Sequence, residues 1–170
     1  MATLRRSVVV SILFTLFGGP GILLVLVPWL VTGFRVPAAV PRWQVLLCVL
    51  LIAGGLVPLF ESMWRFIAVG RGTLVPTVPT EHLVVSGLYA YVRNPMYLGV
   101  LTVLAAQAAL LRSRDLLIEF AAAWLAVGLF VRFYEERRLA HTFPEEYALY
   151  RKHVRRWLPR LSPWRPPSGF

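Results

Sequence analysis

Four apolar runs, separated by short polar stretches, account for most of the chain. They cover residues 7–31, 43–69, 95–111 and 116–134. Each run is close to the ~20 residues that a helix needs to cross the hydrocarbon core of a bilayer. The pattern predicts an all-α polytopic membrane protein with about four transmembrane helices, which form a single membrane domain over residues 1–170.

The first run contains a break at Gly18-Gly19-Pro20-Gly21. Glycine and proline are tolerated in membrane helices, so the break is consistent with a kinked or closely packed helix. It is also consistent with a broken helix whose free backbone groups line a cavity. The sequence leaves both interpretations open, and the first is the simpler one.

The polar C-terminal part predicts an amphipathic helix over about residues 143–158. Basic residues occupy one face, while the other face is apolar and carries Tyr147, Tyr150, Val154, Trp157 and Leu158. A basic amphipathic helix is suited to lie on the anionic inner leaflet of a membrane. It could also cover a pocket at the ends of the third and fourth spans.

Composition and charge support a membrane protein. Apolar residues make up 58% of the chain, charged residues only 15%, and the net charge is +10. With four spans, fourteen of the 18 Lys and Arg residues fall on the side that holds both termini, against four on the other side. We expect an integral protein of a bacterial cytoplasmic membrane, and the positive-inside rule predicts that both termini are cytoplasmic. We expect the basic residues to face anionic lipid headgroups, and we expect no nucleic-acid partner.

Two polar clusters flank the hairpin that the third and fourth runs form. The first is Arg93-Asn94-Pro95-Met96-Tyr97, and the second is Arg132-Phe133-Tyr134-Glu135-Glu136. Antiparallel neighbouring helices bring both clusters to the same end, so we expect a shared pocket at the water–lipid boundary. Simpler interpretations exist: Asn94 and Pro95 are typical of a helix start, and Arg132 and Glu136 could pair across one turn.

The clusters and the segments around them resemble the isoprenylcysteine carboxyl methyltransferase family and the related phospholipid methyltransferases. The resemblance rests on order and spacing over about 80 residues. It comprises a lead-in at residues 83–89, the core at 93–99, Arg132 with Glu135-Glu136, and an aromatic and acidic stretch at 143–150.

The resemblance implies S-adenosylmethionine as the cofactor. Its pocket would be lined by Glu81, His82, Leu83, Val84, Tyr89, Arg93, Asn94, Pro95, Met96, Tyr97 and Glu135. It also implies that Arg132 and Glu136 are catalytic residues, which contact the acceptor or its reacting end. The family motif usually has histidine where this chain has Asn94, and an amide can hydrogen-bond but cannot titrate as a base.

The implied function is an enzyme that methylates a small lipophilic acceptor from the bilayer, with a prenylcysteine-like carboxylate as one candidate. Glu136→Gln is expected to weaken ligand binding while leaving the fold intact. Two alternatives stay open: an NADPH-dependent membrane reductase of the sterol reductase type, and a non-enzymatic membrane subunit. The three histidines lack metal-ligand spacing, so no metal is expected. The sequence does not indicate an oligomeric state.

Overall fold

The computed structural model describes residues 19–68 and 82–167, and these parts of the chain form five helices without strands. Helix α1 runs through Gly19–Gly21, Ile22–Leu26 and Val27–Thr32. Helix α2 is Arg42–Ala68, and α3 is Pro95–Leu110. Helix α4 runs through Arg114–Phe130, Val131–Glu135 and Glu136–Thr142, and α5 is Pro144–His153. The all-α prediction is therefore confirmed for the described residues.

Two of these helices are long and apolar enough to cross a membrane by length and composition. They are Arg42–Arg65 in α2 and Arg114–Thr142 in α4, whereas Ile22–Thr32 and Pro95–Leu110 are shorter apolar helices. Only 22% and 17% of the apolar windows in the two long helices are buried inside the protein. Such exposed apolar surface suits contact with lipid and is unlike the core helix of a soluble protein. Residues 7–18 of the first predicted span lie outside the described part.

Within the described residues helix α1 begins at Gly19, and Gly19–Gly21 are helical. Gly18 and the residues before it lie outside the described part, so the choice between a kinked and a broken helix stays open. The helix then widens into a π-turn over Ile22–Leu26. The buried side chain of Gln107 on α3 donates from Nε2 to the carbonyl oxygen of Leu24 at 2.9 Å. A side chain that inserts into the backbone ladder is a recognised cause of such local distortion.

Helices α2 and α3 pack against each other at two glycines. A Cβ atom added at Gly55 would lie 2.8 Å from the carbonyl oxygen of Gly99 and 2.8 Å from the Val103 side chain. Small residues at this crossing allow the close backbone approach that is common between membrane helices. The contact fixes the level of α3 against α2 and so positions the polar residues at the start of α3.

Helix α4 changes its geometry where the second polar cluster begins. The backbone forms a π-turn over Val131–Glu135, in which the N–H of Glu136 bonds to the carbonyl oxygen of Val131. A π-turn joins residues five apart, so Glu136 lies beneath Val131, and both are buried at 8% and 1% exposure. The helix then continues to Thr142, eight residues beyond the predicted end of the fourth span.

The amphipathic helix predicted for residues 143–158 is shorter in the structure. Helix α5 ends at His153, and Val154 adopts an extended conformation. Residues 154–164, here called the C-terminal strap, instead run beside residues 90–93. Three backbone N–H groups, those of Arg93, Arg160 and Trp164, donate across this contact at 2.9 Å. These tertiary hydrogen bonds replace the helical ones, which is why the helix prediction is wrong beyond residue 153.

Candidate functional site

A cavity of about 80 Å³ lies where the start of α3, the π-turn of α4 and the inner face of α5 meet. Its wall combines two carboxylates, one arginine and one amide with apolar and phenolic side chains. The lining residues are Leu83, Val84, Tyr89, Arg93, Asn94, Val131, Glu135, Glu136, Leu139, Tyr147 and Tyr150. Both predicted polar clusters thus contribute to one site, as the hairpin argument requires.

The carboxylate of Glu136 accepts three hydrogen bonds from two arginine side chains. Its Oε1 accepts from Nη1 of Arg93 at 2.7 Å and from Nε of Arg156 at 2.8 Å, and its Oε2 accepts from Nη2 of Arg156 at 2.6 Å. The Glu136 and Arg93 side chains are each 10% exposed, and Arg156 is 33% exposed. Glu136 on α4 therefore links the segment just before α3 to the C-terminal strap.

Arg132 does not share the cavity. Its side chain is exposed, and its guanidinium carbon lies 5.5 Å from the centre of the Phe133 ring. In a regular α-helix Arg132 would stack against Glu136, but the π-turn brings Val131 to that position. The predicted convergence of Arg132 with the other site residues is wrong for this physical reason, and so is a pairing between Arg132 and Glu136.

Glu135 is the second carboxylate that lines the cavity, and among the described residues no arginine pairs with it. Its Oε2 accepts a hydrogen bond from the hydroxyl of Tyr97 at 3.1 Å. Tyr97 follows Asn94 by three residues on α3, so this bond is a second link between the two clusters. Glu135 is held by a neutral donor, and it can face a positive charge in the cavity.

Arg93 also lines the cavity, and one of its donors is unused among the described residues. Its Nη1 serves Glu136 and also donates to the hydroxyl of Tyr147 at 3.1 Å. Its Nε is buried and has no hydrogen-bond partner among the described residues. A buried donor without a partner is costly, so this atom is suited to a ligand oxygen.

Asn94 occupies the N-cap position of α3, and Pro95 is the first helical residue, as predicted. The Asn94 side chain nevertheless makes no capping bond. Its Nδ2 donates to the carbonyl oxygen of Arg156 at 3.1 Å, and Asn94 is only 6% exposed. The amide thus holds the C-terminal strap over the site.

Three buried tyrosines complete the cavity. The hydroxyl of Tyr150 donates to the carbonyl oxygen of Tyr89 at 2.7 Å, which fastens α5 to the segment before α3. Burial raises the pKa of Tyr89, Tyr147 and Tyr150, so each phenol stays protonated and neutral. The apolar face predicted for the C-terminal helix therefore covers the site.

The remaining predicted residues lie elsewhere. His82 is exposed, Met96 packs against the core between α2 and α3, and Pro95 lines a separate groove. Glu81 lies outside the described residues. Sequence reasoning missed Arg156 as part of the site, because the amphipathic pattern placed it on a solvent-facing helix. It also missed Val131 and Leu139, which carry no polar signal.

Comparison with known families agrees with this geometry. A family model described as phospholipid methyltransferase matches residues 43–146, which is more than half of the chain. The chain belongs to the phospholipid methyltransferase family. No curated protein and no solved structure matches the chain.

Membership of the phospholipid methyltransferase family makes a membrane methyltransferase the expected activity class and confirms the resemblance seen in the sequence. The cavity offers groups that fit S-adenosylmethionine chemically. A carboxylate suits a sulfonium and an ammonium, and the unpartnered Nε of Arg93 suits a carboxylate oxygen. Within the described residues, no group of three His, Cys, Asp or Glu side chains is placed to hold a metal ion.

Proposed function

We propose that this protein is an integral membrane methyltransferase that uses S-adenosylmethionine and methylates a lipophilic acceptor from the bilayer. One observation carries the proposal. In a chain of the phospholipid methyltransferase family, one cavity is lined both by a carboxylate that no arginine holds, Glu135, and by Arg93, whose buried Nε has no hydrogen-bond partner among the described residues. The two groups have the charges needed to hold a zwitterionic amino-acid end beside a sulfonium.

The cofactor would supply a methyl group that is already activated, for in-line transfer from sulfur to the nucleophilic atom of the acceptor. Arg93 would bind a carboxylate oxygen through Nε, and Glu135 would face positive charge. Leu83, Val84 and Leu139 give apolar surface for a flat ring. The protein contributes mainly orientation and exclusion of water, which are large terms when two reactants must align.

The described arrangement is a closed one. A cavity of about 80 Å³ is well below the ~300–1,000 Å³ typical of small-molecule pockets. We propose that α5 moves to admit the cofactor. Phe143 joins α4 to α5 with an irregular backbone conformation, φ −132° and ψ 65°, and is the natural hinge. The basic strap and the positive-inside distribution support entry from the cytoplasm.

The site favours an acceptor that is a thiol or an amine. Glu136 holds both Arg93 and Arg156, and Arg132 lies outside, so the described cavity has no whole guanidinium free to grip an acceptor carboxylate. A thiol or amine must lose a proton on methylation, and Glu135 is the carboxylate placed to accept it. Asn94 cannot take that role, since an amide does not titrate.

Isothermal calorimetry with S-adenosylhomocysteine tests the proposal on protein purified in detergent. We expect wild type to bind, Glu135→Gln to lose most of the affinity, and Arg132→Ala to bind like wild type. Arg132→Ala is the matched control, because it removes a charged side chain three residues away that points outside the cavity.

NADPH serves as the competing ligand for the reductase alternative. Binding of NADPH without S-adenosylhomocysteine would favour a reductase. Binding of neither ligand by well-folded wild type would refute the proposal. Equal binding by wild type and Glu135→Gln would refute the assignment of Glu135.

A further inference from the structure

Positive charge is concentrated around the C-terminal strap, and the candidate site uses little of it. Residues 151–165, from the last turn of α5 to just beyond the strap, contain six Lys and Arg residues and no Asp or Glu. Arg156 is the member that pairs with Glu136. Four others are exposed and are here called the basic group: Arg151, Lys152, Arg155 and Arg165. A cluster of this size beside a membrane helix is typical of segments that bind anionic lipid headgroups.

The strap also exposes apolar side chains between its basic ones. Leu158 is 63% exposed, and Leu161 is fully exposed. Exposed leucines in a basic segment are unfavourable in water, but they suit a segment that lies in the membrane interface. There the apolar side chains enter the boundary of the acyl layer, and the basic side chains stay among the headgroups.

Two contacts place the strap at the depth of this interface. The side chain of Asn94, just before α3, donates to the carbonyl oxygen of Arg156 at 3.1 Å, so the strap crosses the end of α3 where the apolar layer begins. The next residue, Trp157, has its ring centroid 5.9 Å from that of Trp124. Trp124 lies in the middle of α4, within the apolar stretch Arg114–Phe130. Trp157 therefore extends from the strap into the apolar layer.

The strap also holds one end of the helix that covers the cavity. Helix α5 continues at Val154 directly into the strap. The backbone N–H of Arg93 donates to the carbonyl oxygen of Arg155 at 2.9 Å. The ion pair between Arg156 and Glu136 adds a second link to the cavity wall. A strap fixed in this position keeps α5 over the cavity, whereas a released strap leaves α5 held at its other end, beside the hinge.

We propose that the strap and the basic group bind the anionic lipid headgroups of the surrounding membrane, and that this binding keeps α5 closed over the cavity. The exposed basic side chains contact headgroup phosphates, and the two leucines lie beneath them. In a membrane without anionic lipid, protein contacts alone hold the strap, and α5 opens more often. The proposal goes beyond the proposed function, since it concerns the cover of the cavity and not the ligand inside it.

Amide hydrogen exchange in nanodiscs tests the dependence on lipid charge. The protein is reconstituted in phosphatidylcholine alone, and in equal parts of phosphatidylcholine and phosphatidylglycerol. We expect the amides of residues 144–164 to exchange roughly ten-fold more slowly with phosphatidylglycerol, because an anionic surface stabilises the bound strap. The amides of α3 should exchange equally in both membranes. Added salt should reduce the difference, because it screens the attraction.

Two variants of equal charge show whether the basic group causes this difference. The first replaces three exposed members of the group, none of which lines the cavity: Lys152→Gln, Arg155→Gln and Arg165→Gln together. It should remove most of the slowing. The matched control replaces three exposed arginines at the opposite end of the helices: Arg35→Gln, Arg42→Gln and Arg114→Gln together. It should keep the slowing.

A nitroxide label measures whether the strap enters the lipid. The label is attached at Leu161→Cys in a Cys48→Ala background, because Cys48 is the one cysteine of the chain. In phosphatidylglycerol nanodiscs we expect the label to collide more with oxygen, which concentrates in lipid, than with a water-soluble nickel complex. Glu145→Cys is the control, since it lies at an exposed position at the start of α5, and it should show the reverse.

Equal exchange in the two membranes would overturn the proposal, and so would a slowing that the folded basic-group variant retains. A label at residue 161 that meets the nickel complex more than oxygen would also overturn it. Circular dichroism melting shows whether the variants fold, and Arg155→Gln alone takes the place of the triple variant if that one does not. Calorimetry with S-adenosylhomocysteine separates this result from the proposed function. Lipid-dependent exchange in a wild type that binds no S-adenosylhomocysteine would refute the methyltransferase site and leave the lipid-bound strap standing.

Discussion

Replacing Glu136 by glutamine removes the charge that two arginine side chains share. In the structure three N–H groups reach the Glu136 carboxylate at 2.6–2.8 Å. Glutamine keeps one acceptor oxygen, and its amide NH₂ would face guanidinium N–H groups, donor against donor. Because of these ion pairs, we expect Glu136→Gln to destabilise the fold, whereas the sequence alone led us to expect an intact fold.

The size of the effect follows from burial. Breaking a buried pair by removing one partner costs ~3–5 kcal/mol. Arg93 is 10% exposed and is left without its counter-ion, whereas Arg156 is 33% exposed, and solvent offsets part of its loss. We expect Glu136→Gln to lower the free energy of unfolding by about 3 kcal/mol, equivalent to a fall in melting temperature of about 10 °C.

Arg156→Gln should cost less, about 1–2 kcal/mol, because Arg93 still neutralises Glu136 and Arg156 is partly solvated. Glu145→Gln on α5 is the matched control: it makes the same chemical change at an exposed position and should stay within ~0.5 kcal/mol of wild type. The expected order of stability is wild type and Glu145→Gln, then Arg156→Gln, then Glu136→Gln.

Thermal unfolding in detergent, followed by circular dichroism, measures this order. If Glu136→Gln melted together with Glu145→Gln, the Glu136 carboxylate would not be a buried link between α4, the segment just before α3 and the strap. If Arg156→Gln lowered the free energy of unfolding more than Glu136→Gln, the assumption that Arg93 depends on Glu136 more than Arg156 does would be wrong.

Two further changes test the packing around the site. Gly55→Ala should lower the free energy of unfolding by ~1–3 kcal/mol, because its Cβ would lie 2.8 Å from the Gly99 carbonyl oxygen. Gly54→Ala should be neutral or stabilising, since its Cβ meets nothing within 4 Å. Thermal melting of the two variants checks this difference, and equal melting temperatures would contradict the close contact between α2 and α3. Tyr150→Phe should lower the free energy of unfolding by ~1–2 kcal/mol and increase amide hydrogen exchange in α5, because the hydrogen bond to the Tyr89 carbonyl is lost. Hydrogen exchange equal to that of wild type would show that this bond does not hold α5 in place.

The sequence was sufficient for the features that depend on local chemistry and hydropathy. The apolar runs, bounded by polar residues, predicted the start of α2 and both ends of α3 within one residue, whereas the predicted end of the second run, residue 69, lies outside the described residues. Asn94 before Pro95 predicted the start of α3, and the short hairpin connection predicted that Arg93 and Glu136 come together.

Features that depend on distant parts of the chain were not predictable from pattern. The π-turn in α4 changes which residue lies above Glu136, and hydropathy carries no signal for one wider turn. The end of α5 and the role of Arg156 depend on hydrogen bonds to residues about 62 positions earlier in the chain, such as that between Asn94 and the Arg156 carbonyl. Local helix pattern continues past His153, and tertiary contacts override it.

Methyl transfer itself tests the central claim most directly. Proteoliposomes made with a lipid extract are incubated with S-adenosylmethionine that carries a tritiated methyl group, and the organic phase is counted. Wild type should transfer label into an extractable lipophilic product, Arg132→Ala should retain most of this activity, and Glu135→Gln should lose it. No label in the organic phase from folded wild type that binds S-adenosylhomocysteine would contradict a lipophilic acceptor, and undiminished transfer by Glu135→Gln would contradict the site described between α3, α4 and α5.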